Sequence, residues 1–327
     1  MPPRVTWILP VRNGEQYLER TLISIAEQDY PADAHTLYVW DDGSTDATPD
    51  ILRKWIGREI QGRIVGTERI GLGRALAQLT VSSQTELLAR IDADDIAEPD
   101  RLRRQVAYLC DHRKVGVLGT QTRRIGSKEI LTDHPTEDAE IRWSLRFSNP
   151  VNHPTVMMRR SAVLEAGNYR DLPPGHEDYD LWVRMALIVR FATLDQPLVG
   201  YRIHEQSATA GWSSDHGERF YQLRNALIDR LLPGTDPVAG RRLLNLVRHP
   251  DDLNVSADDV LRFRHMAMMA AKACRFPITY YTSTKLFKQQ HDNLKTRRLK
   301  GQPFIRPVWP LIKRAGQLIH KPHDTAA

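Results

Sequence analysis

Two acidic runs and one acidic pair hold the residue types best able to do chemistry. In Asp92-Ala93-Asp94-Asp95, three carboxylates share four consecutive positions. Like charges at that spacing repel, and a divalent hard cation is their natural neutraliser. A few acidic ligands with open positions suit Mg²⁺ or Mn²⁺ shared with the phosphates of a substrate. The same run could equally be a solvated acidic turn with a helix cap. In Asp41-Asp42-Gly43-Ser44-Thr45-Asp46, Gly43 supplies a tight turn and Asp46 a cap. A carboxylate there can accept from the imide N–H of a uracil or thymine, or from a ribose hydroxyl. An ordinary turn and cap is the alternative. The pair Glu177-Asp178 lies at a helix start, where acidic side chains also complement the helix dipole.

The elements that must position these groups follow from the hydrophobic pattern. Over the first 110 residues, short apolar strands at 5–9, 36–40, 63–65 and 86–91 alternate with amphipathic stretches. The stretches carry Leu18, Leu22 and Ile25, then Ile51, Leu52 and Trp55, then Leu72, Leu76 and Leu79. That alternation demands a parallel sheet flanked by helices. Polar chemistry begins where the strands end: 10–13 follow the first, 41–46 the second and 92–95 the fourth. The carboxyl ends of parallel strands share one edge, so the three segments should converge on one crevice. Pro99 should sit in the first turn of the next helix. Further strands are expected at 115–119, 156–158 and 198–203, with a helix over 179–187. Beyond about residue 210 the pattern is helical, near 216–232, 237–248, 257–274 and 278–295. Two domains are therefore expected, 1–210 and 211–327.

Composition excludes several classes. The chain has 327 residues, 41% hydrophobic and 26% charged, which argues against wholesale disorder, a collagen-like fibre or a membrane-embedded bundle. No apolar run reaches the ~18–20 residues that span a bilayer, and the apolar stretch at 5–9 is too short for a signal peptide. The only cysteines, Cys110 and Cys274, encode neither a disulfide framework nor a zinc site, so a reducing cytoplasm is expected. The net charge of +6 is uneven: residues 1–210 hold 26 basic and 30 acidic side chains, residues 211–327 hold 20 and 10. From Lys285 to Lys321 there are ten basic side chains and one acid, Asp292. Within that stretch Leu311, Ile312, Ala315, Leu318 and Ile319 share one helical face behind Trp309. Such a helix could lie on an anionic membrane or pack on protein.

The motifs, taken in order, resemble those of the inverting glycosyltransferases of family 2, of the non-processive, bacterial polysaccharide type. Those that carry the resemblance are 8–14, 41–46, 89–95, Asn149-Pro150 with His153-Pro154-Thr155, 177–182 and Tyr201-Arg202-Ile203-His204. The resemblance implies an α/β GT-A fold, a Rossmann-like mixed sheet with helices on both faces, followed here by a helical C-terminal extension. It implies that Asp42 contacts the nucleobase and that Pro10, Val11, Arg12, Asn13 and Glu15 border the nucleotide. Asp92 and Ala93 would lie by the ribose, and Asp94 would hold Mn²⁺ or Mg²⁺ on the diphosphate. His204 would face the metal or the diphosphate. Glu177 and Asp178 would stand on the acceptor side, with Asp178 as general base. Arg12 stands where an aromatic is usual and could stack or bind phosphate, so a UDP-sugar is favoured with the base left open. Arg74 and Arg90 could reach the diphosphate or neutralise the acidic edge, and His153 could orient a loop or touch substrate.

The expected reaction is single-sugar transfer from a nucleotide-diphosphate sugar to a hydroxyl of a glycan or lipid-linked acceptor. Leaving-group charge calls for a metal, and the attacking hydroxyl calls for a carboxylate base. The segment Gln-x-x-Arg-Trp of processive synthases is absent. A nucleotidyltransferase would need a Gly-rich loop after the first strand, and that loop reads Pro10-Val11-Arg12-Asn13-Gly14-Glu15. An aspartyl phosphatase would carry Thr or Val where Ile96 stands. A non-catalytic nucleotide-sugar binder or scaffold remains an alternative. No nucleic-acid partner is expected. The protein should be cytoplasmic, with its basic end able to sit on the inner face of the cell membrane.

Overall fold

The structure is a computed structural model and describes residues 2–126, 130–145, 149–172 and 175–204. The expected boundary at 210/211, the helices beyond it and their membrane-docking face lie outside the described residues. Strands β1 (Val5–Val11), β2 (His35–Asp41), β3 (Gly62–Gly66) and β4 (Leu87–Arg90) alternate with helices α1 (Leu18–Ala26), α2 (Thr48–Trp55) and α3 (Leu72–Ser82). Then come β5 (Ile96–Ala97), α4 (Arg101–Asp111), β6 (Val115–Ile125) and α5 (Asp138–Ser144). A 3-10 turn (His153–Thr155), β7 (Met157–Arg159), α6 (Arg160–Glu165), α7 (Glu177–Met185) and β8 (Arg190–Arg202) complete the order.

Among the described residues the strands form one mixed sheet in the order β3-β2-β1-β4-β7-β6-β8-β5. β1 pairs parallel with β2 and β4, and β2 with β3. β7 inserts antiparallel between β4 and β6, and β8 runs parallel to β6. This is a helix-flanked mixed sheet, broadly GT-A-like. Every residue of β1 is buried, as a central parallel strand covered by helices requires. Trp7 and Leu9 of β1, Leu18, Leu22 and Ile25 of α1, and Leu37 and Val39 of β2 belong to one core cluster with no exposed surface. Fully burying each such aliphatic side chain is worth roughly 1.5–3 kcal/mol.

Several elements differ from the sequence expectation, for local reasons. β8 has 13 residues rather than six because a register shift near Gln121 lets it follow β6 along its whole length, with Asp195 and Gln196 left over. Polar residues at that shift disguised the first half of the strand. β5 is two residues long and pairs antiparallel with Val199 and Gly200, too short to leave a periodicity. Pro99 stands outside the first turn of α4, whose cap is Asp100; its carbonyl instead accepts from Asp29 N–H at 2.7 Å. Helix α7, which carries the acceptor-side motif, starts at Glu177, two residues before the expected start.

Polar groups stitch α4 to the sheet. Gln105, fully buried, donates through Nε2 to the carbonyls of Leu118 (3.0 Å) and Thr155 (2.9 Å), and its Oε1 accepts from Arg101 Nε at 3.1 Å. Arg101 Nη2 donates to the Arg90 carbonyl at 2.7 Å, and its guanidinium lies 4.9 Å from the Trp7 ring centroid. The start of α3 touches the loop that leads to α7. A Cβ at Gly73 would fall 2.2 Å from the Arg170 carbonyl oxygen. Gly→Ala inside a helix ordinarily stabilises. Here the clash is with backbone, so Gly73→Ala should instead lower stability by about 1–3 kcal/mol. A urea titration with unchanged slope and a lower midpoint is the expected result.

Candidate functional site

The loops after β1 and β2 close on each other through their own polar groups. Asn13, at φ 50°, takes the left-handed conformation that a short polar side chain tolerates. Its N–H donates to Ser44 Oγ at 2.9 Å and its Oδ1 accepts from Thr45 N–H at 2.9 Å. Gly14 N–H donates to Thr48 Oγ1 (2.8 Å), and Glu15 N–H to Asp46 Oδ2 (3.0 Å). Glu15 returns the contact, Oε2 accepting from Ala47 N–H at 3.0 Å. The side chains of Asn13 and Glu15 thus brace the neighbouring loop, while Pro10 and Val11 are buried in β1 and Arg12 is exposed at its end.

Asp41 and Asp42 divide their work. Asp41 Oδ1 accepts from Ser44 N–H at 2.9 Å, closing the turn. Asp42 Oδ1 accepts from the N–H groups of Ile70 (2.6 Å) and Gly71 (2.8 Å), tying β2 to the entry of α3. Gly43 has φ 72°, and a Cβ there would meet Arg69 Cβ at 2.9 Å, so both conformation and space call for glycine. Asp46 Oδ1 accepts from Thr48 N–H at 3.0 Å, the expected capping role, exerted one residue ahead of the formal cap Ala47.

The acidic turn after β4 is surrounded by cations. Arg90, buried, grips both oxygens of Asp92, with Nη1 to Oδ2 at 2.6 Å. Burial pushes the Asp92 carboxyl up to about 6; Arg90 pulls it down and Asp94 adds to the rise. Asp95 is wholly buried, Oδ1 accepting from Arg202 N–H at 2.8 Å, and its Oδ2 has no partner among the described residues. Burial, with Asp92 and Asp94 nearby, raises the Asp95 pKa well above its usual value. Asp94 is partly open, and its Oδ2 lies 2.8 Å from His204 Nε2. Arg202 Nε donates to the Asp94 carbonyl at 2.9 Å, and its guanidinium covers the Tyr17 ring at 4.5 Å. Thr21 Oγ1 holds the turn from beneath, donating to the carbonyls of Ala93 (2.9 Å) and Asp95 (2.7 Å).

Asp92, Asp94 and Asp95 each offer an oxygen within 4.8 Å of the others, a hard-donor set able to coordinate a divalent metal ion. Their surroundings differ. Asp94 offers a partly open carboxylate beside an imidazole, and Asp92 has its outer lone pairs free of the bidentate arginine. Asp95 faces the interior and ties the turn to the end of β8.

At the start of α7 the two acidic residues are equally distinct. Glu177 Oε2 accepts from the N–H groups of Gly175 (2.8 Å) and His176 (3.1 Å), so this carboxylate caps its own helix. Asp178 Oδ1 accepts from Tyr179 N–H at 2.6 Å and its Oδ2 from Asn149 Nδ2 at 2.7 Å. Burial raises the Asp178 carboxyl to about 7, Glu177 adding to the rise, while the two hydrogen bonds and Arg90 oppose it. Asp180 is paired with Arg184 at 2.6 Å inside the helix. His153 is buried against the Trp182 edge, its Nε2 2.9 Å from Tyr169 Oη and its Nδ1 3.9 Å from Glu177 Oε1. Burial, and then Arg90, hold its pKa well below the usual value, so the imidazole is neutral. It orients the loop rather than reaching the surface.

The structure thus brings Asp92, Ala93, Asp94 and His204 together at one strand edge, with Tyr17 and Arg202 beside them. Asp42 lies at the end of β2 in the same parallel half. Arg90 neutralises the acidic edge from below, and Arg74 pairs with Asp171. Asn149, Tyr17 and Tyr169 were assigned no role from sequence. Asn149 stands in the Asn149-Pro150 motif of the resemblance and before a proline, without a role attached; the other two carry no signal.

Comparison with known proteins bears on the family and the fold. The family model described as Glycosyl transferase family 2 matches residues 6–167. The amylovoran biosynthesis glycosyltransferase AmsE of Erwinia amylovora is 30% identical over 219 residues, 64% of this chain and 80% of the relative. The O-antigen biosynthesis glycosyltransferase WbnJ of Escherichia coli is 26% identical over 234 residues, 70% of this chain and 91% of that one. The crystal structure of S. aureus TarS 1-349 in complex with UDP-GlcNAc shares the fold at a TM-score of 0.61 and 19% identity. That match covers 83% of this chain and 81% of the other.

The braced loops yield a pH-dependent expectation. Burial pushes the Asp46 pKa up, but the bonds from Thr48 and from Glu15 N–H outweigh it and hold the carboxyl below its usual value. A depressed folded pKa stabilises above the unfolded pKa and is lost as pH falls through the folded one. Asp46→Ala should cost about 1 kcal/mol at neutral pH. In urea unfolding the gap to wild type should narrow only below about pH 4, where the unfolded carboxyl takes its proton.

Proposed function

The chain belongs to glycosyl transferase family 2, and from that premise we propose that it moves one sugar from a nucleotide-diphosphate sugar to a hydroxyl of a glycan or lipid-linked acceptor, by direct displacement with inversion. The observation that carries this reading is the contrast between two carboxylates. Asp94 is partly open beside His204 within a metal-capable cluster, whereas Asp178 is buried and raised to about 7. Environments that push carboxylates toward different tasks mark donor and base assignments.

In this reading Asp42 receives the nucleobase, its Oδ1 already engaged by Ile70 and Gly71 so that its other oxygen meets the ligand. Pro10 to Asn13 and Glu15 form the braced wall beside it, and Arg12 stands free to stack or to meet phosphate. Asp92, oriented by Arg90, accepts from a ribose hydroxyl next to Ala93. Asp94, with Asp92 and His204, would hold Mn²⁺ or Mg²⁺. When bound, that ion supplies charge neutralisation to the departing diphosphate. Asp178 takes the proton of the attacking acceptor hydroxyl, and Glu177 holds the helix start from which it acts. A carboxyl poised near neutrality is suited to that task. A glycan product accords with the names of two relatives, which place them in amylovoran and O-antigen biosynthesis. A uridine nucleotide accords with the UDP-GlcNAc held by TarS.

A thermal-shift screen of nucleotide sugars with and without Mn²⁺ identifies the donor, since a ligand of the folded state raises the melting temperature by mass action. Against that donor, Asp94→Ala should abolish the Mn²⁺-dependent part of binding; an unchanged Mn²⁺ effect refutes its role. Asp178→Asn should leave donor binding within about twofold and lower transfer by about 10²- to 10⁴-fold. In the wild type, transfer should climb as pH rises through about 7, as Asp178 loses its proton. Wild-type-like turnover of Asp178→Asn would sink the base assignment.

A further inference from the structure

A carboxylate that must take a proton needs a fixed direction as well as a suitable pKa, and the segment just before the 3-10 turn supplies one. Asn149 precedes Pro150, which confines its backbone to extended conformations and so limits where its side chain can point. Pro150 has no N–H, and the next donor along the chain, Val151 N–H, reaches Asn149 Oδ1 at 3.3 Å. With the amide oxygen turned to Val151, the amide nitrogen faces Asp178, 2.7 Å from Oδ2. The other oxygen of Asp178 is fixed by Tyr179 N–H at 2.6 Å. One partner on each oxygen leaves the remaining lone pairs of a carboxylate available to an incoming hydroxyl.

We infer that Asn149 is a positioning residue for Asp178: its side-chain amide, set by Pro150 and Val151, orients the carboxylate and favours its ionised form. The inference rests on Asp178 acting as the base in the proposed reaction. The other charged or titratable groups that act on Asp178 are Glu177 on its own helix, Arg90 at the end of β4 and Tyr169 in the loop before α7. Glu177 is engaged by Gly175 and His176, and Arg90 by Asp92. Tyr169 Oη is engaged by His153. Among the described residues Asn149 is the only side chain hydrogen-bonded to the Asp178 carboxylate.

The test is a pH titration of the full chain labelled with ¹³C at the Asp side-chain carboxyls, read by NMR without any substrate. The Asp178 resonance is assigned by its absence in Asp178→Asn and should titrate near pH 7 in the wild type. Asn149→Ala should raise that midpoint by about one pH unit, the worth of one hydrogen bond to a charged acceptor. Asn149→Asp keeps the acceptor for Val151 and replaces the donor with a second carboxylate, so its midpoint should rise further. An Asp178 midpoint within about 0.2 units of wild type in a folded Asn149→Ala or Asn149→Asp chain overturns the inference. Failure of the base reading would show separately, as transfer retained by Asp178→Asn.

Discussion

The buried guanidinium of Arg90 is the charge on which the site depends. It closes β4 at the place where three carboxylates crowd into one turn, and both oxygens of Asp92 rest on it. The Arg90 side chain is buried, so its charge is not tolerable alone, and leaving such a charge unpaired typically costs roughly 3–5 kcal/mol. The influence of Arg90 extends further: its charge favours the ionised form of Asp178 and disfavours the cationic form of His153. One cation therefore sits beneath both halves of the proposed chemistry. Arg101 holds it from the other side by bonding its carbonyl while lying over Trp7.

Around this centre the backbone is set by short reciprocal contacts. The loops after β1 and β2 interlock through Asn13, Glu15, Ser44, Asp46 and Thr48. Asp42 ties the second loop to the entry of α3. Most of these bonds join a side chain to a backbone N–H, which leaves few local donors to be satisfied by water and holds the polar wall in one shape. The braced wall is a preorganised surface, so that ordering it need not be offset by ligand binding.

Much of this was readable in the sequence. Alternating apolar strands and amphipathic helices placed 10–13, 41–46 and 92–95 just beyond strand ends, and the sheet keeps them at that edge, although β1 runs on through Pro10 and Val11 and β2 through Asp41. Hydrophobic periodicity is a local signal that finds a strand but not its last polar or kinked residue. What escaped is non-local. The first half of β8 hides behind the polar Asp195 and Gln196 at a register shift, and β5 has only two residues. The burial of Arg90 depends on Asp92 two residues on, but also on a loop about 80 residues away that carries Tyr169. Asn149 meets Asp178 across 29 residues. Asn13 and Glu15 look like ligand-facing groups by type, yet their side-chain oxygens accept from backbone across the crevice wall, which only the register of β1 on β2 reveals.

The turn between β4 and β5 is pinned at every level: Thr21 holds two of its carbonyls, Arg202 holds a third and the Asp95 side chain, and β5 is locked to β8 immediately after. Insertion or deletion of a single residue there would shift the carboxylates out of phase with both anchors at once. Length is thereby frozen in this stretch, more strictly than residue identity at Ala93, whose backbone carbonyl makes the contact with Thr21. Divergence in what such proteins accept as substrates must then be written elsewhere, in segments whose ends are not sewn to the sheet.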